Sequence, residues 1–256
     1  MKGYDILGNV AIVKFDKKDS AIKKKREAKI ILNKQKSVKT VLEKTQKFKG
    51  RFRKQNTKFI VGEKTKEVLY KENGCVFRFN ADTCYFSPRL ASERLEIAKK
   101  VRRGEKVLVM FGGAAPFAIV MAKKSKVGKV VSVEISRACN KYALENVKRN
   151  KVNDRVEILQ GDVRKVLPKM KVKFERIVMA RPNLEDNFLD AALSRIKKDG
   201  IIHYYGFCSV DEIEAMKFMI LQEAKIAKKK IKILNVKKAG DIGAYVFRWR
   251  IDLKVL

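Results

Sequence analysis

Two acids and a glycine pair stand where chemistry on a nucleotide could be done. KVLVMFGGAAPFAIV (residues 106–120) is a strand-like apolar run that breaks at Gly112-Gly113 and resumes as a helix-like run. A strand, a glycine turn and a helix bring backbone N–H groups close to a bound nucleotide. Glu134 follows about 20 residues later, ending the next apolar run, where a carboxylate accepts hydrogen bonds from two ribose hydroxyls. Asp162, in LQGDVRKVL, ends the run after that. It could reach an adenine amino group, or cap the helix through VRKVL. Phe111, Ala115, Pro116, Ile135, Val163 and Met179 adjoin these positions and complete the candidate cofactor wall. Glycine turn, Glu134 and Asp162 in that order describe an S-adenosylmethionine site better than a dinucleotide site.

Such residues need a sheet to hold them. From about residue 90, helical and buried-strand patterns alternate: SERLEIAKKV, KVLVMF, PFAIVMAKK, KVVSVEI, RACNKYALENVKRN, VEILQG and RIVMA. DNFLDAALSRI, GIIHYYGF and VDEIEAMKFMILQEA continue the alternation, and KIKILNV and GAYVFRWRIDL close it as strands. Repeated strand–helix units imply a parallel sheet with helices on both faces, with the closing strands antiparallel at an edge. Ahead of them the elements are shorter. GYDILGNVAIVKF reads as a hairpin about Gly8-Asn9, and EVLYKENGCVFRFN as another about Asn73-Gly74. Asp19 and Ser20 can cap a helix through AIKKKREAKIILNKQ, and VKTVLEK and TKFIVG read as strands. Between these strands lies QKFKGRFRKQN, basic residues interleaved with Phe48 and Phe52. It could grip phosphates and stack bases, or be a solvated loop with two anchoring rings.

The chain carries 61 Lys and Arg against 28 Asp and Glu, a formal charge of +33. A hot or salty habitat enriches Lys together with Glu, and that balance is missing, so a polyanion such as RNA or DNA is the expected partner. The first 70 residues hold 21 basic and 7 acidic side chains, the densest positive region. With 46% hydrophobic residues the chain can bury a substantial core. It shows neither a long uncharged apolar run nor a signal peptide, so a cytoplasmic protein with no membrane contact is expected. Cys75, Cys84, Cys139 and Cys208 are scattered without a C-x-x-C pair and read as small buried thiols. With His203 the only histidine, no metal site is expected.

YFSPRLASERLEIAKKV, the glycine strand, EISRACNKYALENVKRNKV, GDVR, RIVMARPN and DGIIHYY together resemble the archaeal tRNA (guanine-37 N1)-methyltransferase family. The resemblance covers nearly the whole chain. It implies a Rossmann-like class I α/β domain over residues 76–256, with a mostly parallel seven-stranded sheet. A small basic α+β domain, facing the RNA, precedes it over residues 1–75. The family's usual extra N-terminal domain is not evident, and a monomer is expected. The implied cofactor is S-adenosylmethionine and the implied partner tRNA, at position 37 of the anticodon loop. Glu93 matches the family's general base for the guanine N1 proton; Arg53 matches an arginine that stabilises charge on O6. On residue type alone Glu93 could equally serve the start of its helix, and Arg53 be one phosphate contact among many. Arg51, Arg89 and Arg94 are candidate substrate contacts, the last two able to orient Glu93 or bind phosphate.

Three positions depart from the family pattern. Val109 replaces an aspartate that could bind the cofactor's ammonium group. Ala115 replaces a second turn glycine, tolerable at negative φ and damaging if the turn needs positive φ. Ala180-Arg181-Pro182 stands where Asn-Leu-Pro or Pro-Leu-Pro is usual, and Arg181 or Asn183 could take over the lost asparagine's work beside Pro182. The resemblance implies methylation of N1 of guanosine 37 as the expected activity. Methylation of a tricyclic wyosine precursor, aminocarboxypropyl transfer and non-catalytic RNA binding stand as alternatives.

Overall fold

The computed structural model describes residues 3–46 and 55–256 of the 256. The first strands, β1 (Tyr4–Leu7) and β2 (Val10–Val13), pair antiparallel across Gly8-Asn9. Gly8 is obligatory there: its φ is +56°, and a Cβ would stand 2.0 Å from the Leu69 carbonyl oxygen. Helix α1 (Ala21–Lys34) starts where Ser20 accepts a hydrogen bond from the Lys23 N–H. It crosses over to β3 (Thr40–Lys44), parallel to β2, and β4 (Thr57–Gly62) completes a four-stranded sheet antiparallel to β3. Ala28 and Ile31 of α1 pack with Ala11, Val13, Phe15 and Val41 as this unit's core.

Strands β5 (Glu67–Glu72) and β6 (Cys75–Asn80) form a hairpin turned by Asn73 (φ 50°) and Gly74 (φ 70°). Its two strands are held from opposite sides. The Asn9 side-chain oxygen accepts from the Leu69 N–H at 2.7 Å. The free edge of β6 is paired not by a strand but by two asparagines one helical turn apart. Asn146 accepts from the Arg78 N–H (2.7 Å) and donates to the Arg78 carbonyl (2.9 Å); Asn150 does the same for Val76 at 2.8 and 2.7 Å. Replacing Asn146 with leucine leaves the half-buried N–H and carbonyl of Arg78 and the buried carbonyl of Ala114 without this partner. At about 1–3 kcal/mol per orphaned group, partly relieved by relaxation, unfolding in denaturant should show a loss of about 2–3 kcal/mol.

The larger sheet carries the site. Its order is β12-β13-β11-β10-β7-β8-β9. Strands β7 (Lys106–Met110), β8 (Lys129–Glu134), β9 (Val156–Gln160), β10 (Phe174–Met179) and β11 (Ile196–Cys208) run parallel. At one edge β12 (Ile231–Gly243) and β13 (Val246–Val255) are antiparallel. Helices α2 (Ala91–Lys100), α3 (Pro116–Lys124), α4 (Arg137–Arg149), the one-turn α5 (Val163–Val166), α6 (Leu189–Arg195) and α7 (Ile213–Ile226) cover the faces. Alternate residues of β7 divide between the two cores, Val107 and Val109 to one, Leu108 and Met110 to the other. A strand buried on both faces is why 106–110 reads as an unbroken apolar run.

Helix α6 begins later than its sequence pattern suggests. Asp186 and Asn187 turn their side chains onto the N–H groups of Phe188 and Leu189, and Phe188 adopts a left-handed φ of 58°. Short polar side chains that bond nearby backbone compete with the first turn of a helix. Among the described residues no helix is long and apolar enough to cross a membrane.

Candidate active site

After β9 the chain returns to the other side of β7, so β7 and β10 are neighbours whose onward connections diverge. A cleft opens at the carboxyl ends of strands at such a switch point. Here it holds about 950 Å³ of empty space, part of it open to solvent. One end is walled by Phe111, Gly112, Gly113, Pro116, Glu134 and Ile135, the other by Ala180, Arg181, Pro182, Asn183, Tyr205, Phe207 and Arg248. Tyr85, Phe86, Ser87 and Leu90, between β6 and α2, close one side. A smaller cleft continues past Phe111 and Ile135, lined by Gly161, Asp162, Val163 and Phe188.

Glu134 ends β8, and each of its oxygens accepts one backbone N–H, from Gly113 (2.9 Å) and from Ser136 (2.7 Å). Each oxygen keeps lone-pair capacity toward the cleft, as a vicinal diol requires. Burial pushes its carboxyl above the usual range, and the two N–H groups oppose that shift. Asp162 caps α5 through the Arg164 N–H at 3.0 Å, one of its two expected roles, and also lines the smaller cleft. Phe111 meets Phe188 edge-on at 4.9 Å, forming an aromatic wall there. A diol-accepting carboxylate, a flat apolar slot and an acid at its far end fit an adenosyl group.

Two of the expected cofactor residues sit behind the wall. Met179 is buried at the end of β10, and Ala115 is buried as the N-cap of α3. The turn does impose a positive φ on Ala115, +64°, as it does on Phe111. That conformation costs a non-glycine residue about 1–2 kcal/mol, and burial of the Ala115 methyl returns roughly 0.8. Val109 lies in the apolar core with Phe117 and Val178, outside the cleft lining.

The substrate candidates separate more widely. Arg51 and Arg53 lie outside the described residues. Arg89 is exposed, 3.8 Å from Asp5, away from the cleft. Arg94 is 2% exposed and committed: it grips Glu72 with two bonds of 2.5 and 2.6 Å, donates to the Ser87 carbonyl, and stacks over Phe86. It thus pins the Ser87 segment to β5, and neither Arg89 nor Arg94 orients Glu93. Arg181 donates to the carbonyls of Leu184 and Asp186 and clamps the loop after β10. Asn183, at the mouth, makes no hydrogen bond among the described residues.

Glu93, in the first turn of α2, is 3% exposed and outside the cleft lining. Arg250 holds it at 2.6 Å and Lys237 at 3.0 Å, and the Tyr205 hydroxyl donates to it at 3.0 Å. Tyr205 does line the cleft. The network continues beneath the sheet. Arg250 also pairs with Glu96 (2.5 Å) and Asp252 (3.0 Å); Asp252 meets His203 Nδ1 at 2.6 Å; Arg176 approaches His203 Nε2 at 2.7 Å and pairs with Glu105 at 2.8 Å. Arginine can only donate, so Nε2 accepts and Nδ1–H donates to Asp252. His203 is therefore a neutral core residue, and burial holds its pKa down.

The hydrogen bond from Arg250, joined by one from Lys237, lowers Glu96 from 4.5 to about 2. A depressed folded pKa stabilises fully above about pH 4.5 and progressively less as pH falls toward 2. Arg250→Met removes the buried cation shared by three carboxylates, Glu93, Glu96 and Asp252. We expect a loss of about 3 kcal/mol or more in denaturant unfolding, with that acid-sensitive window narrowed in melts run across pH.

Two of the four cysteines depart from the expectation of buried free thiols. Cys84 and Cys139 form a disulfide across 55 residues of sequence, while Cys75 and Cys208 are the buried free thiols expected. The bond ties the segment entering Tyr85 to the first turn of α4. Its partners sit on elements that only the tertiary fold brings together, so spacing carries no signal for it.

Residues 68–234 match the TRM5/TYW2 methyltransferase domain. The chain belongs to that family. TRM5/TYW2 proteins are S-adenosylmethionine-dependent class I enzymes, and residues 1–65 match the TYW2 N-terminal domain. Trm5b of Pyrococcus abyssi, a tRNA (guanine(37)-N(1))-methyltransferase, is 39% identical over 80% of this chain, which spans 59% of that protein. Taw22 of Nanoarchaeum equitans, a tRNA (guanine(37)-N(1))/4-demethylwyosine(37)-methyltransferase, is 32% identical over 99% of both chains. The crystal structure of the Pyrococcus abyssi Trm5b superposes with a TM-score of 0.87 at 34% identity, covering 99% of this chain and 75% of that one. Two cleft-lining polar residues of this TRM5/TYW2 chain, Tyr205 and Arg248, are not among the residues its sequence singles out. Tyr205 lies in an unbroken buried run of β11 and Arg248 is buried between half-buried neighbours on β13, patterns that also describe ordinary core strands.

Proposed function

We propose that this TRM5/TYW2 protein methylates N1 of guanosine 37 in tRNA, with S-adenosylmethionine as donor. One observation carries the reading: the Tyr205 hydroxyl joins the base end of the cleft to the buried carboxylate of Glu93. Gly112, Gly113, Glu134, Phe111 and Asp162 would hold the cofactor, which supplies an electrophilic methyl group when bound.

Guanine N1 is not nucleophilic while protonated, so the proton must leave as the N1–methyl bond forms. Glu93 cannot touch the base from where it lies. Tyr205 bridges the gap: its oxygen takes the N1 proton as its own proton passes to Glu93 Oε2. Burial first, then the neighbouring Glu93, raises the Tyr205 pKa well above 10, which suits a relay over a resting phenolate. Arg250 and Lys237 fix the accepting carboxylate so that no reorganisation accompanies the transfer. Asn183 and the Pro182 segment orient the base in place of the asparagine that Ala180 cannot supply. The resemblance assigns Arg53 to O6, where negative charge builds as N1 loses its proton. The basic first 75 residues are the proposed tRNA-binding part.

A second reading extends the first. End-to-end similarity to Taw22, and the TYW2-type N-terminal match, favour an added methylation of 4-demethylwyosine at the same position. The test incubates purified protein with unmodified tRNA, or tRNA carrying 4-demethylwyosine, and cofactor labelled separately on the methyl and the carboxypropyl carbons. Methyl label in 1-methylguanosine is expected. Carboxypropyl label would replace this proposal with group transfer of the larger arm. No label, with tight salt-sensitive RNA binding, would make the protein a non-catalytic binder.

A further inference from the structure

The base end of the cleft contains more positive charge than its own acids answer. Arg248 is 7% exposed and lines the cleft, yet its side chain makes no hydrogen bond or ion pair among the described residues. It faces Phe207, its cross-strand partner between β13 and β11, with its guanidinium carbon 5.4 Å from the ring centroid. Arg181, which follows β10 on the other side of β11, is 5.9 Å from the same centroid. Phe207 thus stands between two guanidinium groups. Arg181 bonds only carbonyl oxygens, which do not neutralise it, and its buried Nε has no partner. The nearby Asp186 carboxylate is committed to Arg164.

Arg248 is mostly covered, yet its guanidinium nitrogens still open onto the cleft, with the Phe207 ring against them and no carboxylate paired to the charge among the described residues. A cation held in this way is completed by an anion from outside the chain. We propose that Arg248, stacked on Phe207 opposite Arg181, is an oxyanion site that takes the phosphodiester flanking the nucleotide inserted into the cleft. This rests on the reading of the cleft as a tRNA nucleotide site. A guanidinium fits the role because it can meet two phosphate oxygens at once while its plane stays stacked.

The experiment measures binding of an anticodon stem-loop by fluorescence anisotropy across salt, for wild-type protein and Arg248→Gln. Losing one phosphate contact should lower the slope of log K against log salt by about 0.7–0.9 and weaken binding roughly tenfold. A neutral methylphosphonate on one side of position 37 should weaken wild-type binding by the same factor and Arg248→Gln hardly at all. Arg248→Lys, which keeps the charge, should recover most of the slope. An unchanged slope, or additive losses from variant and methylphosphonate, would overturn the proposal. Weakened S-adenosylhomocysteine binding in calorimetry would overturn it too, by assigning the anion to the cofactor's carboxylate. Should Arg248→Gln not fold, the methylphosphonate series on wild-type protein decides alone: no sensitive position next to 37 overturns it. Wild-type protein that neither binds nor modifies tRNA would instead refute the parent reading.

Discussion

Glu93→Gln is expected to lower kcat by about 10²–10⁴-fold, the usual worth of a positioned general base, with the tRNA Kd nearly unchanged. The amide keeps the shape and can still accept from Arg250, but it cannot take a proton. Tyr205→Phe should fall in the same range, because it removes the hydroxyl through which the cleft reaches Glu93. The double variant should be little worse than either single one, as groups acting in series are not additive. Single-turnover methyl transfer, tRNA anisotropy and thermal melts check this together. If kcat and tRNA affinity fall equally, or if Tyr205→Phe turns over like wild type, Glu93 is only a partner for Arg250.

Glu134→Gln should weaken S-adenosylhomocysteine binding by at least 10²-fold, since two hydrogen bonds to a charged acceptor are each worth about 1.5–3 kcal/mol. Gln keeps one acceptor oxygen and places an NH₂ where the other stood, so one of the N–H groups from Gly113 and Ser136 loses its partner. The wild type carries a pH signature as well. Burial raises the Glu134 pKa, and ribose hydroxyls bind the ionised form. Affinity should therefore be full above that raised pKa and fall as pH descends through it. Calorimetry across mildly acidic pH should show this decline in the wild type and a flat profile in Glu134→Gln. A wild-type affinity independent of pH would remove Glu134 from the ribose contact.

Much of the scaffold was legible because it rests on local chemistry. The period-two and period-3.6 patterns, Ser20 as a cap, Asn73-Gly74 as a turn and the glycine break after β7 each depend on neighbours within a few residues. Glu134 was legible for a related reason: a strand–turn–helix unit fixes the distance from the turn to the next strand's end. The late start of α6 was not, because the two side chains that bond its first N–H groups, Asp186 and Asn187, are themselves held by distant partners, Arg164 and Glu223.

Sequence alone thus determined the class of sheet, the position of the cleft along the chain and two acids that line it, Glu134 and Asp162. Only the tertiary structure decided what each polar side chain faces. Glu93 is held by Arg250 from 157 residues away, Arg94 by Glu72, Cys84 by Cys139, and Arg248 is set beside Phe207 by the register of β13 on β11. The physical reason is common to all four. A charge or thiol has no directional preference encoded in its immediate neighbours, and its role is set by whichever distant strand or helix the packed core places within about 3–4 Å of it.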